Sequence, residues 1–170
     1  VLFYILEESG IQFNPEKLKS FFLLLNAGVL FTVFLSFLWF VPPTAIYILG
    51  LTGAVAQLLA FYELYILLKT YVPALKTSFG TIAFFLLKIA GILMVSKLIM
   101  QLFSALPYVA NLAFRLKDFV IGYLHLVFLG IVITAMLALL KYFKLIILPK
   151  SFLWLFLFAF VSTEALIFHK

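Results

Sequence analysis

The chain has 170 residues, 67% of them hydrophobic and 11% charged, where a soluble domain carries about 45–50% and about 25%. A water-soluble core of this size could not hide that much apolar surface, and the mean hydropathy of +1.29 agrees. The net charge of +6 comes from lysines near the ends of apolar runs, which marks a membrane face and sets nucleic acid aside as a partner. With no cysteine, disulfides, thiolate metal sites and cysteine nucleophiles are excluded.

In chain order, the opening VLFYIL has the character of an apolar run already under way, so an upstream segment is expected before Val1. Residues 7–20 are the one clearly wet stretch. Within it Ser9 and Gly10 signal a turn, and Asn14, Pro15 and Glu16 a helix start, with Asn as N-cap and Pro at the first helical position. Five spans follow, at about 21–41, 44–68, 81–106, 119–140 and 151–168. Each has about the 20 helical residues needed to cross roughly 30 Å of hydrocarbon. Pro42 and Pro43 end the first span and begin the second. No polar residue separates these two, so a tight antiparallel hairpin is expected.

Three loops complete the pattern. Residues 69–80 hold Pro73, Lys69 and Lys76. Residues 107–118 hold Arg115, Lys117 and Asp118, the last expected as an N-cap. Residues 141–150 hold Lys141, Lys144, Lys150 and Pro149, with an apolar patch at 145–148 expected to lie along the interface. A transmembrane barrel needs short, strictly alternating strands, and these runs are too long and uniform. The expected fold is an all-α polytopic transmembrane helical bundle, a single membrane domain. Seven basic residues (Lys17, Lys19, Lys69, Lys76, Lys141, Lys144, Lys150) collect on one face and three (Arg115, Lys117, Lys170) on the other. That bias places loops 69–80 and 141–150 in the cytoplasm, with a bacterial cytoplasmic (inner) membrane as the expected location.

Ionisable groups within spans are costly and face protein or a wet cavity. Glu63, Lys88, Lys97, His125 and Glu164 are the five to explain. Counted inward from the outer loops at 1.5 Å per residue, Lys97, His125 and Glu164 lie roughly 13, 10 and 6 Å deep. The three form a candidate polar cluster in the outer leaflet, suited to relaying a proton or binding an anion. The competing structural reading pairs Lys97 with Glu164, or lets both snorkel to headgroups. Glu63 and Lys88 are a second candidate pair, on the cytoplasmic half.

Helical phase adds detail. At about 100° per residue, His125 shares a stripe with Asp118, Gly122, Leu129, Val132, Met136 and Leu139. Lys97 falls with Ala83, Ala90, Gln101 and Ser104, which leaves Lys88 on the opposite face. In the second span Gly53, Ala56 and Ala60 form a small-residue ridge for close packing. Asn26, Thr32, Ser36 and Gln57 offer interhelical hydrogen bonds. The aromatic residues of the fifth span (Phe152, Trp154, Phe156, Phe158, Phe160) suit a face turned to lipid or to a partner.

Several chemistries are absent. His169 sits at the chain end, leaving His125 as the one histidine within a span, too few for a metal centre built from this chain. There is no Gly-rich phosphate loop, no HExxH and no GxSxG. Ser104, His125 and Glu164 lack the nucleophile-elbow context of a hydrolytic triad.

Residues 118–135, DFVIGYLHLVFLGIVITA, place His125-Leu126-x-x-Leu129-Gly130 near the outer end of a span. This segment resembles the histidine-bearing helices of the haem–copper oxidase subunit I superfamily and its short membrane relatives. The resemblance is local and, carried over, implies only His125, as a haem axial ligand. That family draws its centre from several histidines on several helices, and a second ligand here would have to come from outside this chain or from a second copy. The leading expectation is a non-enzymatic subunit or scaffold of a membrane complex, of respiratory type, in contact with the lipid bilayer and with membrane-protein partners or another copy of itself. Transport through the Lys97, His125 and Glu164 cluster is one alternative, and haem binding at His125 the other.

Overall fold

The computed structural model describes residues 2–8, 13–35 and 43–169, and it is helical throughout with no strand among them. The helices are α1 (Leu2–Glu8), α2 (Pro15–Thr32), α3 (Thr44–Lys69), α4 (Val72–Ser104), α5 (Pro107–Arg115) and α6 (Lys117–His125). A π-helical segment (Leu126–Ile133), α7 (Thr134–Tyr142) and α8 (Lys150–Phe168) complete the order. Five stretches are long and apolar enough to cross a bilayer: Pro15–Leu35, Thr44–Lys69, Val72–Ser104, Asp118–Tyr142 and Lys150–Ile167. Large apolar side chains such as Leu30, Leu155 and Phe158 stand exposed on them, as expected where the solvent is lipid. The chain is an all-α integral membrane protein. The end of the first expected span, Pro42, the turn at Ser9 and Gly10, Ser36 and Lys170 lie outside the described residues.

Local chemistry explains most helix ends. Asn14 is extended (φ −66°, ψ 118°), and its side chain accepts the Glu16 N–H at 3.0 Å with Pro15 beginning the helix. The expected loop at 69–80 is instead largely helical. Pro73 sits in the first turn of α4, and Gly80 (φ 70°, ψ 165°) then kinks the helix, a conformation open to glycine alone among common residues. The expected loop at 107–118 likewise carries α5. Asp118 is not the N-cap: α6 begins one residue earlier, Leu116 stands at the cap, and Asp118 falls in the first turn. There its charge still meets the positive end of the helix.

Two compact units partition the chain, one of Val1–Ser78 with Leu98–Ala110, the other of Phe79–Lys97 with Asn111–Lys170. In the first, α2 and α3 meet backbone to backbone. A Cβ added at Gly53 would lie 2.7 Å from the Thr32 amide nitrogen, and one at Gly28 would lie 3.0 Å from the Gly53 carbonyl oxygen. The buried face of α3 runs through Gly50, Gly53, Ala54, Gln57 and Ala60. Ala56, expected on the ridge, is only half-buried because Gln57 takes the inward position.

Gln57 Nε2 donates to Thr32 Oγ1 (3.1 Å), and Gln57 Oε1 accepts from Gln101 Nε2 (3.2 Å), which ties α2, α3 and the end of α4 together. Asn26 does not bridge helices; its amide donates to the Phe22 carbonyl of its own helix at 2.7 Å. Ile5 and Leu6 of α1 are fully buried, and Phe3 packs its ring against Phe21 and Phe22.

The second unit is built on Leu86, Ala138, Leu148 and Leu153, with Ile82, Leu87, Leu137, Ile146 and Leu157 packed around them. The 145–148 patch is therefore divided: Leu148 joins this core while Leu145 and Ile147 stay exposed.

A candidate intramembrane His–Glu site

The candidate site lies in the second unit, where α8 packs on α6 and the π-helical segment. Gly130 makes the close approach. A Cβ there would lie 2.8 Å from Phe160 Cζ and 3.1 Å from Leu93 Cδ1, so its bare backbone receives the Phe160 ring. On α8, Phe160 and Glu164 are one turn apart and share a face. On the opposing helix the matching pair is Gly130 and His125, five residues apart. In an α-helix five residues turn through about 500°, which leaves His125 about 140° from Gly130 and facing away. The π-helical segment that starts after His125 bonds each residue to the one five along. The wider turn narrows that angle, and His125 lies opposite Glu164.

The result is an imidazole facing a carboxylate. His125 Nδ1 lies 3.9 Å from Glu164 Oε1, with side-chain exposures of 38% and 17%. Both atoms are buried and neither has a hydrogen-bond partner among the described residues. The gap exceeds a hydrogen bond by about 1 Å, a distance that rotation of either side chain can close. A proton held by either group leaves the pair neutral as imidazole with carboxylic acid, or as a zwitterion of imidazolium with carboxylate. The arrangement suits proton exchange or coordination of a small cation.

The other expected site residues fall as follows. Lys97 is half-buried on α4, in the same unit as His125 and Glu164. Lys88 is exposed on that helix. Glu63 belongs to the first unit, where its Oε1 accepts a hydrogen bond from Ser20 Oγ at 3.1 Å.

The phase of the histidine stripe is corrected too. Gly122, Gly130, Thr134 and Ala138 are the buried positions, while Val132 and Met136 are exposed. The π-helical turns rotate everything beyond His125 relative to a 100° count. Thr134, next after those turns, is fully buried with its hydroxyl unpartnered among the described residues. Sequence periodicity did not single it out. A threonine four residues after a glycine in a wholly apolar helix was the one available signal.

No protein-family model, no curated protein and no solved structure matches the chain. Among the described residues no three His, Cys, Asp or Glu side chains converge as metal ligands. His125 offers one nitrogen donor, and that ring already turns Nδ1 to Glu164.

Proposed function

We propose that this chain is a non-enzymatic subunit of a membrane complex that passes a proton or small cation, with His125 and Glu164 as the exchanging groups. The observation that carries the reading is two buried atoms facing each other at 3.9 Å within apolar helices, neither with a hydrogen bond. A purely structural pair gains most by closing to hydrogen-bond distance, and a snorkelling side chain by leaving the bundle. This pair does neither. Sharing one proton keeps it neutral, the form that hydrocarbon tolerates; gaining or losing one leaves a charge that must be handed on. Lys97 is the next group in the proposed path. The likeness around His125 to haem–copper oxidase helices supports a respiratory-type complex in a bacterial inner membrane as the setting, with loops 69–80 and 141–150 cytoplasmic.

The test is proton flux into vesicles containing the full chain and a trapped pH indicator, driven by an imposed gradient. The wild type is expected to collapse the gradient faster than empty vesicles. Glu164→Gln and His125→Gln are each expected to return the rate to that of empty vesicles with helix content unchanged. Wild-type flux equal to empty vesicles, with sodium and potassium gradients equally unaffected, would overturn the reading. Because the chain has no cysteine, Lys76→Cys and Lys144→Cys report the sidedness directly. Labelling of the two from opposite sides would overturn the topology.

A further inference from the structure

Glu63 is left over by the site above, and its surroundings have a chemistry of their own. A cavity of about 330 Å³ lies between α2 and α3, lined by Lys17, Leu24, Leu59, Tyr62, Glu63 and Ile66. Its volume is near the lower end for small-molecule sites, about 300–1,000 Å³. The hydrogen bond from Ser20 sets the level of Glu63 against α2 and uses one carboxylate oxygen. The other, Oε2, is buried and has no partner among the described residues.

From Ser20, Lys17 lies about one turn toward the wet end of α2, and Leu24 about one turn toward the membrane interior. On antiparallel α3, Ile66 is the outward neighbour of Glu63 and Leu59 the inward one. The cavity is thus lined by an exposed cation, a carboxylate about one turn deeper, and apolar side chains.

We propose that this cavity binds a phospholipid carrying a primary ammonium, an ethanolamine headgroup. Its ammonium donates to Glu63 Oε2, its phosphate meets the Lys17 ammonium, and its chains leave the cavity for the bilayer. The two headgroup charges are joined by two carbons, and Lys17 and Glu63 line the same cavity. A choline headgroup has no N–H to give, so it leaves Oε2 unsatisfied. The volume takes the headgroup and not the chains, which stay in the bilayer beside the exposed apolar faces of α2 and α3.

The test is lipid retention by the full chain, taken from nanodiscs of equimolar ethanolamine and choline phospholipids with identical chains and read by native mass spectrometry. The wild type is expected to retain the ethanolamine lipid over the choline lipid by about tenfold, the worth of one charge-assisted hydrogen bond. Glu63→Gln, which keeps an acceptor for Ser20, is expected to erase that preference. Lys17→Gln is expected to weaken retention of both lipids while leaving the preference intact. Equal retention by the wild type, or an unchanged preference in Glu63→Gln, would overturn the site. Retention of soluble phosphoethanolamine with neither phospholipid retained would assign the cavity to a free headgroup and overturn the lipid as its occupant.

Discussion

The α2–α3 hairpin and the α8 seat on the π-helical segment are both closed by glycine, yet they treat buried polarity in opposite ways. In the hairpin, Gly28 and Gly53 let backbone meet backbone, and the glutamine at the contact is bonded on both sides, to Thr32 and to Gln101. In the α8 seat, Gly130 meets side-chain atoms of Phe160 and Leu93 and no backbone, and the polar atoms His125 Nδ1 and Glu164 Oε1 remain unbonded among the described residues. A satisfied amide network fastens helices, because any rearrangement strands a polar group in hydrocarbon. An unsatisfied pair on a surface that can yield adds little holding power and keeps its capacity to take up a proton or an ion. The contrast separates a fastening from a site on physical grounds.

The largest test of this contrast is steric. Gly53→Leu must move the Thr32 backbone, and a loss of about 3 kcal/mol or more is expected in thermal unfolding in detergent. Gly130→Leu meets the flexible ends of Phe160 and Leu93, so about 1–2 kcal/mol is expected by the same measurement. Equal losses would erase the distinction between the two contacts.

A smaller effect is expected at the amide bridge. In a double-mutant cycle, Gln57→Leu with Gln101→Leu should show coupling of about 1 kcal/mol, near the upper range for interhelical hydrogen bonds in membranes. Glu164→Gln is expected to leave stability within about 0.5 kcal/mol of wild type, since the substituted Oε1 holds no hydrogen bond to lose. A large loss there would make Glu164 a structural residue. Gly91 provides the baseline: a Cβ there meets nothing, so Gly91→Ala should shift stability by less than about 1 kcal/mol.

Much of this architecture was legible in apolar run length and in the positions of proline and asparagine. Four of the five spans begin or end within a few residues of their expected bounds. The expected span at 81–106 begins where Gly80 breaks α4, and the Asn14 cap forms as its residue type dictates. The helical pieces at 72–79 and 107–115 were hidden because proline and lysine are as natural in the first turn of an interfacial helix as in a loop. Within the site, residue depth put His125 and Glu164 in the same leaflet, about 4 Å apart in level. Their facing depends on rotation, and a few π-helical turns change rotation without any residue type that announces them. Glu63 illustrates a further limit. Charge directed attention to Lys88, and the hydroxyl of Ser20 on the neighbouring helix carried no signal of its contact with Glu63.

Gly80 also governs how α4 can fit a bilayer. Run straight, its 33 residues would make a rod of about 50 Å, against a hydrocarbon thickness of about 30 Å. Such a mismatch would have to be absorbed by steep tilt or by local thickening of the lipid. The left-handed residue divides that length into a spanning rod and a short lead-in bearing Lys76. A single position without a side chain thus decides how much of this helix the membrane has to accommodate.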